Sequence, residues 1–339
     1  MSVLDVYYQY LLISLYSLLK KHNSFNAKCH KRCSTGTSQT RRETLITILH
    51  TLFYVLGFHI RHVSSLGEKH VRALAMHWLR MNLSPGTIRN YFSILRTLFR
   101  WLGKDSINLD LSYYYDDPAV YKVPTAARKS KCWIDANVDP IDKIGEVMQF
   151  NPIIALQLLL MLIFGLRRAE AIKLQPINAD EGNELNLICG TKGGRPRRIP
   201  INTHEKRLVL DIAKQYAKRA NDSTIPRQYS YKEWLNKFKY AMRKFMITGK
   251  DLGVTSHGLR HQYANDTYES LTNMLAPLHR SEGDAVPSRE IDRKARYRIT
   301  DELGHSRLTV TSAYLGSSRK VNTLRAIDEK VEQNKKDED

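Results

Sequence analysis

The sequence predicts a mainly α-helical protein with one small β-sheet, of the α+β class, that folds as two domains. A chain of 339 residues is longer than the ~250 residues at which a single hydrophobic core usually stops growing. Apolar residues recur at helical spacing through most of the chain, whereas strand-like patterns are confined to residues 184–189 and 197–201. The hydrophobic content of 42% and the charged content of 26% are those of an ordinary globular protein.

Residues 1–39 are expected to form a helix followed by a basic linker. The stretch from Val3 to Leu19 is apolar and aromatic, which raises a signal peptide or a membrane span as alternatives. Asp5 and Gln9 interrupt it, however, and its basic residues follow rather than precede it. A packed or oligomer-forming helix is therefore favoured. Residues 26–39 are basic, rich in Ser, Thr and Gly, and without periodicity, which is typical of a linker.

Residues 40–104 are expected to form a small bundle of three or four helices. Apolar stripes at helical spacing begin at Leu45 and at Val71. Ser84 and Pro85 are a good N-cap and first-turn pair for a third helix, which Gly103 closes. The polar faces of these helices carry a run of basic residues: Arg72, Arg80, Arg89, Arg96, Arg100 and Lys104. A solvated face and a DNA-binding face are both compatible with such a run.

Residues 105–130 are expected to be a linker, and residues 131–339 the second domain. The cluster Tyr113-Tyr114-Tyr115 has no nearby base or phosphate-binding group, so packing is its expected role. In the second domain four segments have helical patterning, and a glycine-rich hairpin joins the two strand-like segments. The predicted helices are residues 141–149, 152–164, 204–219 and 231–246.

The chain carries 53 Lys and Arg against 34 Asp and Glu, a net charge of +19 that is spread along its length. This surplus indicates a long polyanion as the partner, with an anionic membrane surface or mere solubility as the alternatives. The four cysteines are too few and scattered for a disulfide scaffold, which fits a reducing cytosol. Cys29-His30-x-x-Cys33 could supply half of a zinc site, but no second pair follows, so no metal is assigned.

Residue types suited to binding phosphate recur along the second domain. Arg167 ends a very apolar segment that should be a buried helix, and Glu170 follows one turn later, where it can orient an arginine or the backbone. Lys192 lies in the turn of the predicted hairpin. His257 and Arg260 are three residues apart, which places them on one helix face, with Ser256 as the expected N-cap.

The last of these segments is Leu303-Gly304-His305, a tight glycine turn. One or two helical turns after it should carry Tyr314 outward. In this order and with roughly these spacings, six residues resemble the active site of the tyrosine recombinases, the family of the phage-type integrases. They are Arg167, Lys192, His257, Arg260, His305 and Tyr314. The resemblance covers most of residues 40–320. It also extends to Leu83-Ser84-Pro85-x-Thr87-Ile88 and the helix that follows, which resemble the family's core-binding domain, so DNA contact by Arg89, Arg96, Arg100 and Lys104 is favoured.

The resemblance implies a metal-free phosphodiester cleavage. Arg167 and Arg260 would neutralise the non-bridging oxygens, because a guanidinium is always charged and matches two phosphate oxygens. Tyr314 would attack and form a 3′-phosphotyrosyl link, while Lys192 would protonate the departing 5′ oxygen. His305 would donate to the same phosphate and His257 would assist proton handling. No cofactor is implied, and the expected partners are duplex recombination sites and three further copies of the chain.

The sequence departs from the family pattern between Arg260 and His305, which are about twice as far apart as the family pattern has them. Residues 269–296 are therefore expected to be an insertion. A C-terminal helix is expected from Val321 to Val331, followed by a charged tail. Two other functions use similar residues. Motifs alone separate a type IB topoisomerase poorly from a recombinase, although the helical N-terminal domain favours a recombinase. The second alternative is a DNA-binding protein that has lost catalysis, which the intact Tyr314, Arg167 and Arg260 disfavour.

Overall fold

The computed structural model describes residues 2–25, 32–191 and 196–317. Within these residues the protein is mainly helical with one two-stranded sheet, which confirms the predicted fold class. The chain divides into two compact units, residues 1–123 and 124–339. No helix of the described ranges combines the length and apolarity that crossing a bilayer requires.

The first unit is built from four helices around one aliphatic and aromatic core. A single π-helical turn, Thr51–Val55, extends the second helix. Leu11, Leu45, Phe53 and Phe92 are fully buried in the shared core. The helices are α1 (Val3–His22), α2 (Thr35–His50), α3 (Glu68–Arg80) and α4 (Pro85–Trp101).

The N-terminal segment forms the packed helix that the sequence predicts. Ser2 and Asp5 cap α1 reciprocally, and the helix buries Leu15 and Leu19 in the core of the first unit. The predicted linker over residues 26–39 is wrong in its second half, because α2 begins at Thr35. The Ser34 hydroxyl accepts a hydrogen bond from the Thr37 amide, a cap typically worth ~1 kcal/mol. The N-cap at Ser34 thus helps to form the first turns of α2, where the sequence is polar and lacks an apolar stripe.

The tyrosine cluster after α4 packs, as predicted. Tyr115 is buried and its hydroxyl donates to the Ala75 carbonyl oxygen at 3.2 Å. Tyr113 donates to the Glu68 carboxylate at 2.8 Å. These contacts attach the chain that leaves α4 to α3, within the first unit.

The second unit places its helices around a separate hydrophobic core. Asp139 and Asn151 cap α5 and α6, and α6 is buried as its apolar sequence predicts. The predicted helices of this unit are confirmed to within a few residues. The elements are α5 (Pro140–Phe150), α6 (Pro152–Ile163), α7 (Arg168–Lys173), α8 (Pro176–Ala179), β1 (Glu184–Leu187), β2 (Arg197–Pro200), α9 (His204–Tyr216), α10 (Tyr231–Lys244), α11 (Gly258–Thr272), α12 (Arg289–Glu302) and α13 (Ser312–Leu315).

The predicted hairpin is an antiparallel pair in which Leu185 is opposite Ile199 and Leu187 is opposite Arg197. The expected insertion, residues 269–296, comprises the end of α11, an irregular segment and the first half of α12. The glycine turn after α12 is confirmed: Gly304 has a φ of 64°, and a 3₁₀ turn and α13 follow.

Candidate active site

Arg260 lies in the first turn of α11, which approaches the chain around Trp133 very closely. A Cβ on Gly258 would lie 2.5 Å from the Lys131 carbonyl oxygen, so glycine permits this approach. The predicted cap by Ser256 is wrong. His257 occupies the N-cap position without a side-chain cap, and the Gly258 amide donates to the Thr255 carbonyl oxygen at 2.8 Å. The backbone alone therefore closes the turn that carries His257 and Arg260.

The Arg260 guanidinium is completely buried, at 0% exposure, and has several acceptors around it. It donates to the carbonyl oxygens of Gly165 and, at 2.5 Å, Leu303. Its Nε lies 3.3 Å from the Tyr314 hydroxyl, and a terminal nitrogen lies 3.4 Å from Nε2 of His305. Burial lowers the pKa of Arg260 to about 10, so the group remains charged at neutral pH.

Two further arginines, Arg167 and Arg197, surround the buried carboxylate of Glu170 together with Arg260. Glu170 accepts from the Arg167 backbone amide at 2.6 Å and from its guanidinium at 2.8 Å. Arg197 forms a bidentate pair with the same carboxylate at 2.6 and 2.7 Å. Arg260 is also within 3.9 Å of it. Burial opposes ionisation, but the hydrogen bonds and charge of Arg197, followed by those of Arg167, lower the pKa of Glu170 to about 2.

The predicted orienting role of Glu170 is consistent with these bonds, whereas Arg197 was missed. The signal was present in the sequence, because Arg197 and Ile199 alternate with exposed Arg198 and so point inward from β2. An inward arginine on a short strand requires a buried acceptor. Three arginines around one carboxylate leave an excess of two positive charges.

The expectation that Tyr314 is carried outward is wrong, because it lies in α13 with a side chain that packs in a buried cluster and is only 6% exposed. Three histidine rings surround its ring, with centroids 4.5 Å (His261), 5.5 Å (His305) and 6.1 Å (His257) away. The Tyr314 carbonyl oxygen accepts from the Asn265 amide at 3.4 Å. The Tyr314 ring thereby lies beside three imidazoles in a protein-lined recess, and its hydroxyl lies beside the Arg260 guanidinium.

Two of the histidines beside Tyr314, His261 and His257, have lowered pKa values. Burial, with smaller contributions from the neighbouring His257, Lys131 and Arg260, lowers the pKa of His261 to about 3. His257 keeps an exposed edge, yet partial burial and the charges of Arg260 and Lys131 lower its pKa to about 4. Both rings are neutral at pH 7. His261 was also missed from the sequence, although it follows His257 by four residues and so shares its helix face.

His305 borders an open cleft of about 610 Å³ next to this recess. The predicted lysine, Lys192, lies outside the described residues, in the segment that joins β1 to β2. The ends of both strands line the cleft. The lining residues are Asn186, Ile188, Pro196, Arg197, Arg198, Asp301, Gly304 and His305.

The four predicted DNA-binding residues of the first unit differ in their surroundings. Arg89 and Arg100 are exposed on α4. Arg96 donates to the Leu109 carbonyl oxygen at 2.9 Å, and Lys104 donates to the carbonyl oxygens of Ser64 and Leu66. Arg96 and Lys104 therefore have structural partners, and Arg89 and Arg100 present their charge to solvent.

Family models match two parts of the chain. Residues 138–266 match the family model described as "Integrase", and residues 26–108 match the model described as "Phage integrase, N-terminal". Together the two matches take in more than half of the chain. Tyrosine recombinase XerC of Alcanivorax borkumensis strain SK2 is 24% identical over 258 residues, which cover 72% of this chain and 73% of the relative.

Solved structures share the fold at low sequence identity. A lambda integrase dimer bound to a COC′ core site has a TM-score of 0.54 at 17% identity, covering 90% of this chain and 96% of that chain. XerH bound to palindromic difH substrate has a TM-score of 0.55 at 16% identity, covering 90% and 91%. The Tn1549 transposon integrase with transposon right end DNA has a TM-score of 0.53 at 16% identity, covering 94% and 99%.

The fold and the matching family models define a DNA strand-exchange enzyme. The chain belongs to the tyrosine recombinase family, the family of the phage integrases. It is a site-specific recombinase, which cleaves and rejoins DNA strands.

Proposed function

We propose that this recombinase cleaves DNA through Tyr314, and that the arginine cluster binds the phosphate that Tyr314 attacks. The observation that carries the proposal is the excess of positive charge around Glu170. Burying cations without partners is costly, so a surplus of two buried or half-buried guanidinium charges next to a tyrosine hydroxyl favours an anionic ligand. A DNA phosphate supplies a negative charge and the oxygen acceptors that arginine forks match.

Attack by the Tyr314 oxygen on phosphorus forms a 3′-phosphotyrosyl bond and releases the 5′ oxygen of the next nucleotide. Arg260 lies next to the hydroxyl, where its charge favours the phenolate, and Arg167 and Arg260 balance the charge that develops on the non-bridging oxygens. The bond energy is kept in the phosphotyrosyl link. A 5′ hydroxyl from another strand can therefore reverse the step and complete the exchange.

Proton transfer is assigned to the remaining residues. Lys192, on the segment between β1 and β2, is proposed as the general acid for the departing 5′ oxygen. His305 is proposed to donate to the phosphate, and His257 to assist proton handling as a neutral ring. Arg197 does not need to contact DNA, because its bidentate pair with Glu170 already positions that carboxylate against Arg167. The scheme requires neither a nucleotide nor a divalent metal.

The proposed partners are two duplex recombination sites and a homotetramer of this chain, acting in the cytoplasm on nucleoid DNA. A lambda integrase tetramer has been solved on a Holliday junction, and its fold matches this chain at a TM-score of 0.54. The Tn1549 relative is a transposon integrase. We therefore propose that the reaction integrates or excises a mobile genetic element.

The expected C-terminal helix, residues 321–331, lies outside the described residues. Its small apolar stripe cannot stabilise an isolated helix, so we propose that it docks on a neighbouring subunit. A chain truncated after Arg319 should bind a single site normally and lose cooperative assembly and recombination of paired sites. Recombination at the full-length rate would contradict docking between subunits, and lost folding of the truncated chain would indicate docking within one subunit.

The nucleophile can be tested on nicked suicide duplexes built from the DNA that flanks the gene. Tyr314→Phe should bind these duplexes normally and form no SDS-resistant protein–DNA adduct, because only the attacking hydroxyl is removed. Tyr297→Phe, at an exposed tyrosine of the same unit, is the matched control and should form the adduct at the wild-type rate. An adduct that persists in Tyr314→Phe would mean that another residue attacks.

A further inference from the structure

A thiol, a carboxylate and an imidazole meet in the second unit outside the arginine cluster. They belong to Cys132, Asp135 and His279, and one possible ligand atom from each lies within 4.8 Å of the other two. Cys132 is buried at 2% exposure, His279 is half-buried and Asp135 is exposed. The first two residues precede α5, whereas His279 lies between α11 and α12. Their meeting is thus a product of the fold and not of sequence proximity.

The His279 ring is held between two carboxylates. Its Nε2 lies 2.9 Å from an Asp135 oxygen, and its Nδ1 lies 3.0 Å from a Glu269 oxygen. A neutral imidazole has one N–H group and one lone pair, so it can donate to only one of these carboxylates. The other contact brings a lone pair against a carboxylate oxygen, which requires a positive species between or beside them. A second proton or a metal ion would serve.

The buried side of the cluster brings one hydrogen-bond donor to the Cys132 sulfur. Asn265 is 1% exposed, and its Nδ2 lies 3.3 Å from the Cys132 sulfur, at N–H···S distance. The Oδ1 of the same carboxamide has no hydrogen-bond partner among the described side chains and backbone. Cys132 is therefore in contact with a buried polar group whose hydrogen bonding is incomplete.

We propose that Cys132, Asp135 and His279 bind one zinc ion, with Glu269 positioning His279. Thiolate, imidazole and carboxylate are the zinc ligands found in proteins, and three of them leave a fourth position for water. Bonds of about 2.0–2.3 Å in a tetrahedron place ligand atoms roughly 3.3–3.8 Å apart. Any separation near the 4.8 Å limit would have to shorten by about 1 Å, and the 2.9 Å contact between Asp135 and His279 would have to lengthen slightly. The exposed Asp135 can move by that amount. The Glu269 carboxylate accepts a hydrogen bond from the Nδ1–H group of His279, which leaves Nε2 to bind the ion.

The ion would fasten the chain that precedes α5 to the segment between α11 and α12. α11 begins with the turn that carries Arg260, and α12 leads to Leu303, whose carbonyl oxygen accepts from Arg260 and Arg167. Zinc at this position would therefore hold two of the elements that build the site. It takes no part in the cleavage reaction, so failure of the zinc proposal leaves the nucleophile unaffected.

The test uses the full-length protein with Cys29→Ser and Cys33→Ser in every sample, which removes the other Cys and His pair. Metal is stripped with a chelator under reducing conditions, zinc is restored, and bound zinc is counted by mass spectrometry. One zinc per chain is expected, together with a higher Tm. Cobalt in place of zinc should give a thiolate-to-cobalt charge-transfer band, which reports the Cys132 ligand directly.

The variants separate ligands from neighbours. Cys132→Ser and His279→Gln should each abolish stoichiometric zinc, and Cys132→Ser should remove the cobalt band, whereas the control Cys189→Ser should change neither. Glu269→Gln should weaken zinc binding by about 10–100-fold, the usual effect of losing such a supporting group. Asp135→Asn, at an exposed position, keeps the test available if Cys132→Ser does not fold. The proposal would be overturned if the protein with intact Cys132 and His279 bound no more zinc than the Cys132→Ser, His279→Gln double variant. It would also be overturned if the cobalt charge-transfer band survived in Cys132→Ser.

Discussion

The two units of the chain use their arginines in opposite ways. In the first unit the core is aliphatic and aromatic, and Arg89 and Arg100 lie exposed on α4. In the second unit Arg197 and Arg260 are buried, and Arg167 joins them around a single carboxylate. Exposed cations release counterions from DNA and so raise affinity in proportion to their number. Buried cations cost desolvation energy and act only on a group placed among them.

The two units therefore contribute differently to DNA affinity and to strand cleavage. Charge on the first unit should determine how tightly the protein binds and how strongly salt weakens that binding. Charge in the cluster around Glu170 should determine how fast a bound strand is cleaved, with little dependence on salt. Substitutions in the two units should accordingly change different measurements.

The largest effect is expected in the cluster. Arg260→Ala and Arg167→Ala should each lower the rate of adduct formation at saturating DNA by at least ~10²–10³, the usual cost of one transition-state donor. Binding should change little in comparison. Arg168→Ala, which alters an exposed neighbour on α7, is the matched control and should cleave at nearly the wild-type rate.

A cleavage rate for Arg260→Ala or Arg167→Ala within a few fold of the Arg168→Ala rate would remove that arginine from the site. Loss of binding in proportion to loss of cleavage would mean that the cluster contributes affinity, and the distinction between the units would fail.

The next effect concerns stability. Glu170→Gln removes the charge that holds Arg167 and Arg197, and breaking a buried pair typically costs about 3–5 kcal/mol. The pKa of Glu170 is lowered from 4.5 to about 2, so its stabilising contribution is complete above pH 4.5 and is lost as the pH falls towards 2. The shift corresponds to about 3 kcal/mol.

Urea unfolding of the wild type and of Glu170→Gln at several pH values checks this prediction. The difference in free energy of unfolding should be constant above pH 4.5 and shrink below it. A difference that does not change with pH would show that the carboxylate charge is not what stabilises the cluster.

The smallest effect is expected on the first unit. Arg89→Ala and Arg100→Ala should each reduce the slope of log affinity against log salt by about 0.9, with cleavage at saturating DNA unchanged. Arg96→Ala provides the contrast, because Arg96 is bonded to the Leu109 carbonyl oxygen. It should lower the Tm and leave the salt slope nearly unchanged. Equal salt slopes for wild type and Arg89→Ala would show that this residue does not contact phosphate.

The sequence predicted the parts of this fold that local patterns determine. The apolar stretch of α6, the two strand-like segments and the turn at Gly304 all have short-range signals, and the structure shows the buried helix, the paired strands and the turn as predicted. The start of α2 was missed because the polar residues after Ser34 have no apolar stripe, and a cap and tertiary packing stabilise them instead.

The candidate site was predictable in its residue types and less so in its partnerships. Glu170 was expected to orient an arginine, but nothing local shows that Arg197, 27 residues later, takes the stronger share of its carboxylate. His261 was overlooked because its ring contact with Tyr314 depends on how α13 returns to α11. Long-range contacts of this kind follow from the fold as a whole, which periodicity does not specify.

Tyr314 is proposed to form the covalent bond to DNA within the arginine cluster. Digesting the trapped wild-type adduct with nuclease and trypsin tests it most directly, because trypsin releases residues 308–319 as one peptide whose only tyrosine is Tyr314. Fragmentation mass spectrometry should locate the nucleotide on Tyr314. A nucleotide on a serine or threonine of that peptide, or on any other peptide, would contradict the account.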